Sequence, residues 1–244
     1  MDTLNLDMLL RILVAHFLAD FILQPTSWVN RKNEHGIKSG YFWLHIGIHL
    51  LTLSILLWDP NLWPVILWVT IGHLILDALK SKLSNSGIWI FLADQLLHVL
   101  IIVLVSLIYT QQIQLFLDAA TRIVNSEKFW ELSLAYLLLS TPSAVLIGKM
   151  TQRWSQDTGI SVGSKGLKNA GKWIGIMERL LIFTFIVINE ISAIGFLLAA
   201  KSVFRFGDLK DSSDHKKTEY IIIGTFISFS IAIALGLTYK LQLF

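Results

Sequence analysis

The chain has no cysteine among its 244 residues. That excludes disulfides, thiolate metal ligands and cysteine nucleophiles, so any metal must rest on nitrogen and oxygen donors. Charge is scarce as well: Asp, Glu, Lys and Arg make up only 15% of the residues, against about a quarter in a soluble domain. No Gly-x-Ser-x-Gly elbow occurs, which leaves a serine hydrolase without support. The one segment resembling a phosphate-cradling loop, Gly166 to Lys172, has Trp173 where Ser or Thr is needed and no strand before it. Internal repeats and low-complexity tracts are absent. Met1 to Leu10 carries Asp2 and Asp7 ahead of Arg11 and lacks a small-residue cleavage site, so the first apolar segment is expected to stay in the mature protein.

Apolar side chain fills the space that charge leaves. The hydrophobic fraction is 54% and the mean hydropathy +0.63, more than a water-soluble fold can hide. Nine Trp, five Tyr and fourteen Phe suit a chain that meets two headgroup interfaces. Apolar runs fall at about 6–24, 41–58, 62–80, 88–109, 130–150, 172–189, 191–206 and 219–240, most near the ~20 residues a spanning helix needs. The expectation is an all-α polytopic transmembrane helical bundle of about eight spans, with the polar pair Asn189 and Glu190 dividing the stretch from Lys172 to Phe206. The whole chain, 1–244, reads as a single membrane domain with two halves, 1–110 and 130–244.

Basic residues test this partition, because they collect in alternate loops. Arg31, Lys32 and Lys38 follow the first run, and Lys80 and Lys82 the third. Lys149, Arg153, Lys165, Lys168 and Lys172 flank the loop after the fifth, while Lys201, Arg205, Lys210, Lys216 and Lys217 follow the seventh. The opposite connections hold only Arg122 and Lys128. Both termini are therefore expected outside and the basic loops in the cytoplasm. This asymmetry also accounts for the net charge of +3 without a nucleic-acid partner.

Five of the seven histidines lie in the first four runs, each with a polar partner four positions away: His16 with Asp20, His45 with His49, His73 with Asp77, and Asp94 with His98. Residues i and i+4 share one helix face, and ionisable groups inside spans are rare, costly and usually face the bundle interior. At about 1.5 Å per residue all four pairs fall roughly 5 to 15 Å from the inner ends of their helices. The set predicts an intramembrane site for one or two divalent ions, Zn²⁺ foremost, with Mn²⁺ or Fe²⁺ also suited to imidazole and carboxylate. Some members would serve behind the ligands, holding them in place. The competing reading is a set of interhelical hydrogen bonds with no ion.

Around this set, Gln24 and Gln95 add hydrogen-bonding groups, and Lys80 and Lys82 at the inner mouth are candidates to hold an anionic substrate. Ordinary positive-inside flanking residues would look the same. Glu178 and Arg179 lie at a similar depth in the sixth run. They suit either general-base and phosphate-binding roles alongside Asp94 or a buried structural ion pair.

The segment His16-Phe-Leu-Ala-Asp20-Phe-Ile-Leu-Gln24, the later His and Asp pairs, and Ala170-Gly-Lys-Trp-Ile-Gly-Ile-Met-Glu178-Arg179 together resemble a bacterial and phage family of integral membrane proteins, domain of unknown function 3307, across most of the chain. The resemblance implies a bacterial inner (plasma) membrane protein and carries no activity. The His-x-x-x-Asp pairs alone are similar to those of membrane-bound metal-dependent hydrolases. The expected function is hydrolysis of a lipid-linked or phosphorylated amphiphile at the cytoplasmic side. The alternatives are a divalent-metal or proton-coupled transporter and a non-catalytic metal-binding protein that recruits a partner through Thr151 to Gly171.

Overall fold

A computed structural model describes residues 6–83, 87–157, 169–206 and 214–242. Lys165, Lys168 and Lys210, the centre of the Thr151 to Gly171 loop and residues 1–5 lie outside the described residues. Those described are helical, with no strand among them. Contacts divide the chain into two compact units, Met1–Arg122 and Ile123–Phe244.

The first unit begins with α1 (Leu6–Phe17), which widens into a π turn over Leu18–Ile22 closed by a Leu23 N to Leu18 O bond of 2.8 Å. Pro25 then starts α2 (Thr26–His35). Gly36, at φ 58° and ψ −139°, takes a backbone conformation that only glycine adopts without strain. At Ser39 the stretch Thr26–Lys38 bends by 104° into α3 (Gly40–Leu56). A short turn leads to α4 (Trp63–Lys80) and a second to α5 (Ile88–Tyr109). Helix α1 packs on α3 and α5, and α4 packs on the same two, closing a four-helix ring. At one end of this bundle Met8, Ile12, Leu53, Leu57, Val65, Val69 and Ile102 form a buried apolar cluster. Arg11 reaches the Leu56 carbonyl at the same end, 3.3 Å away.

Helices α4 and α5 approach closely where Gly72 faces Ile101. A Cβ at Gly72 would lie 2.6 Å from Ile101 Cγ2, a branch atom with little room to yield. Gly72→Ala should cost about 1–3 kcal/mol of stability, read as a lower thermal-unfolding midpoint in detergent. An unchanged midpoint would contradict this approach.

After α6 (Ile113–Val124), the second unit contains α7 (Glu127–Leu139), α8 (Thr141–Asp157), α9 (Ala170–Val187), α10 (Ile191–Phe206) and α11 (Asp214–Lys240). The α7–α8 junction is a break caused by Pro142, whose ring removes the donor that Leu138 O would otherwise receive. The Ser143 hydroxyl donates to that carbonyl instead, at 2.6 Å. The core of this unit joins Ala135 and Leu139 of α7, Ile182, Phe183 and Ile186 of α9, and Phe229 and Ala232 of α11. The divide at Asn189 is present: its φ is 66°, between α9 and α10.

Among the described residues the expected eight spans reduce to four helices long and apolar enough to cross a membrane, Pro60–Lys80, Ile88–Tyr109, Glu127–Ser155 and Thr218–Lys240, or five if the bent Thr26–Lys38 and Gly40–Leu56 pair is one span. The reasons are local. Helix α1 has only 12 residues before its π turn, α10 has 16, and α9 carries Lys172, Glu178 and Arg179 within its 18.

Candidate metal centre

The four His and Asp pairs come from four different helices and meet inside the first unit. Because α1 and α4 end where α3 and α5 begin, pairs near the C-terminal ends of the first two and the N-terminal ends of the others lie at one level. The π turn holds Asp20 at the centre. Its Oδ1 is 2.7 Å from His49 Nε2, 3.4 Å from His45 Nε2 and 3.8 Å from His73 Nε2, and its Oδ2 is 3.9 Å from His16 Nε2. Asp77 forms a second focus, with Oδ2 at 3.5 Å from His45 Nε2 and 3.8 Å from His73 Nε2, and Oδ1 at 3.9 Å from His98 Nε2. His45 and His73 bring their Nε2 atoms within 3.0 Å of each other.

These separations bear on the chemistry. Most exceed hydrogen-bond length, yet two donors each about 2.1 Å from one ion sit roughly 3.0–3.5 Å apart. The 3.4 and 3.5 Å contacts of His45 fall in that range, the 2.7 Å Asp20–His49 contact is a hydrogen bond, and the contacts at 3.8–3.9 Å are longer than either. Among the described residues, three overlapping sets have potential ligand atoms all within 4.8 Å of one another: His16, Asp20, His49 and His73; His45, His73 and Asp77; and Asp77, Asp94 and His98. His73 and Asp77 are each shared by two of these sets.

His98 supplies an independent test. Its Nδ1 donates to the Asp94 carbonyl at 2.8 Å, which fixes the tautomer and leaves a lone pair on Nε2. That atom is buried with no hydrogen-bond partner and faces the Asp77 carboxylate. Two acceptors set against each other in a low-dielectric interior call for a proton or cation between them. A cavity of about 10 Å³, bordered by His16, His49, His73 and His98, adjoins the cluster and has room for a water or an ion. His45, His49 and His73 also keep buried Nδ1 atoms without partners.

The remaining expected residues divide between two places. Gln95 spans the centre, donating to Asp20 Oδ2 at 3.2 Å and Asp94 Oδ2 at 3.3 Å, with its Oε1 3.4 Å from His16 Nε2. Gln24 is half-buried and its Nε2 has no partner. Lys80 is paired with Asp94 at 2.6 Å, whereas Lys82 is exposed beyond the end of α4. Glu178 and Arg179 find their partners inside the second unit. Glu178 binds Lys201 at 2.7 Å. Arg179 donates to Leu139 O, Ser140 O and Ser228 Oγ at 2.8, 3.1 and 3.1 Å, so it holds the carbonyls at the Pro142 break rather than a carboxylate.

Lys32 is the residue the sequence reading missed. Read as a loop cation, it is 7% exposed and ion-paired with Asp77 at 2.7 Å. The signal was available: Trp28, Val29 and Lys32 share one face of α2, and all three are at least half-buried.

Fold and site together define an all-α protein with membrane-spanning helices and a buried His and Asp centre. Residues 8–124, just under half of the chain, match the model of the family described as "Protein of unknown function (DUF3307)". The matched residues include the whole centre, while the Ala170 to Arg179 stretch lies beyond them. No curated protein and no solved structure matches the chain.

Proposed function

We propose that the first unit is a divalent-metal centre on the eight His and Asp side chains, used to hydrolyse a lipid-linked or phosphorylated amphiphile. The observation that carries the reading is the convergence of the eight imidazole and carboxylate groups into three overlapping sets whose potential ligand atoms lie within 4.8 Å of one another. When bound, a divalent ion supplies Lewis acidity and makes water acidic enough to attack near neutral pH.

The chain's own residues do the rest. Lys80 and Gln95 occupy Asp94 Oδ2, leaving Oδ1 to accept the proton of the attacking water. Lys82, exposed at the same end, neutralises the phosphate of the arriving substrate. Access is one-sided in this reading, because the apolar cluster around Ile12, Leu53 and Val69 closes the other end of the bundle. That is the ground for preferring hydrolysis to transport, which needs a polar route on both sides. In this reading the lysine end faces the cytoplasm, which the positive-inside bias of the basic residues supports.

The test is metal analysis of the purified protein followed by two assays of the loaded form. One is hydrolysis of a panel of phosphorylated amphiphiles, the other ion flux into proteoliposomes. Asp94→Asn should lower kcat, expressed per metal ion bound, by about 10²–10⁴-fold. Ion flux without hydrolysis would sink the enzymatic reading and assign a transporter.

A further inference from the structure

We propose that the cavity of the second unit is a binding site for a phosphate group, with Arg179 and Lys201 as its cationic contacts. The cavity measures about 490 Å³, and Lys172, Glu178, Arg179, Lys201, Tyr220 and Ser228 are among its lining residues. That volume lies within the ~300–1,000 Å³ typical of small-molecule sites.

Charge accounting points to an anion. The Glu178 carboxylate is engaged by Lys201. Arg179 is only 2% exposed, yet its hydrogen-bond acceptors are two carbonyls and a hydroxyl, all neutral. Among the described residues no carboxylate lies within ion-pair distance of its guanidinium. Lys172, Arg179 and Lys201 against Glu178 leave the lining with an excess of two positive charges. A buried cation so placed is expensive unless an anion joins it.

Geometry selects the kind of anion. Three of the five guanidinium N–H groups are used, which leaves one on each Nη, a spacing suited to two oxygens of a phosphate. The glycines keep the approach open. A Cβ at Gly175 would sit 3.2 Å from Arg179 Nη1, whereas at Gly148, Gly171 or Gly224 it would meet nothing within 4 Å. Those last three border space rather than a packed neighbour. Phosphate can arrive free in water or as a lipid headgroup, and the site chemistry is the same for both.

The experiment is thermal unfolding of the full chain in neutral detergent, titrated with inorganic phosphate, with short-chain phosphatidic acid, and with sodium chloride at matched ionic strength. Phosphate or phosphatidic acid should raise the midpoint by several degrees when saturating, and chloride should not. Gly224→Leu fills the cavity from a position where its Cβ meets nothing, so the fold should survive while affinity falls at least tenfold. Arg179→Gln should abolish the response, and because it also loosens the Pro142 break, the Gly224 variant carries the test. A response to both ligands assigns the phosphate group whatever its source. A response to phosphatidic acid alone assigns a lipid headgroup, and to inorganic phosphate alone a soluble ligand. No response to either, or one undiminished in Gly224→Leu, overturns the proposal.

Discussion

Asp20→Asn is expected to lower metal affinity at least about 100-fold. Loss of groups that merely support a ligand already costs 10- to 100-fold, and among the described residues Asp20 is the one carboxylate within 3.9 Å of four histidines. Asparagine keeps the shape and can still accept a hydrogen bond from His49, so the helices should stay packed. What is lost is the negative charge that offsets a divalent cation. Competition against a chelator of known affinity, read by elemental analysis of the recovered protein, gives the number. If the variant retained as much metal as the parent protein, Asp20 could not be the centre of the site, and the hydrogen-bonded reading of the cluster would replace the metal one.

Lys32→Met should be the most destabilising single change in the first unit. Lys32 and Asp77 are 7% and 3% exposed and 2.7 Å apart. Removing the cation leaves a buried carboxylate facing His45, His73 and His98, a change that typically costs about 3–5 kcal/mol. Methionine keeps most of the side-chain volume, so the loss would reflect charge more than packing. A divalent ion bound beside Asp77 would replace the missing positive charge. Adding metal to the variant should therefore recover part of the lost unfolding midpoint, and by more than it adds to the parent. A variant as stable as the parent would show that the ion pair contributes little; loss with no recovery on adding metal would separate Asp77 from the metal centre.

Both expectations turn on residues of different legibility. Asp20 could be read in the sequence because His16 and Asp20 repeat the four-residue spacing of the other three pairs, and helical periodicity converts that spacing into a shared face. Lys32 was obscured by a rule that is right on average: a basic residue after an apolar run belongs to a cytoplasmic loop. In this chain the loop folds into α2, and the amphipathic face of that short helix carries the lysine inward to Asp77. Arg179 is a similar case. Its presence in an apolar run announced a buried partner, but the partners are carbonyls at the Pro142 break and a serine on α11, none of which has a charge to reveal it.

The sequence by itself determined the solvent, the helical class, the division at Asn189, and the convergence of four ionisable pairs toward one end of a bundle. Each of these follows from hydropathy, helical period or the cost of charge in an apolar medium, which act locally along the chain. Tertiary structure decided what local rules do not encode. Among the described residues the span count fell from eight to four or five because helix length depends on where π turns, glycines and buried charges interrupt it. The π turn put Asp20 among four imidazoles, and the approach of the histidines to Asp20 and Asp77 arose only when four helices closed into a ring. The partners of Lys32, Glu178 and Arg179 were likewise set by packing, since a buried charge takes whichever compensating group the fold brings within reach.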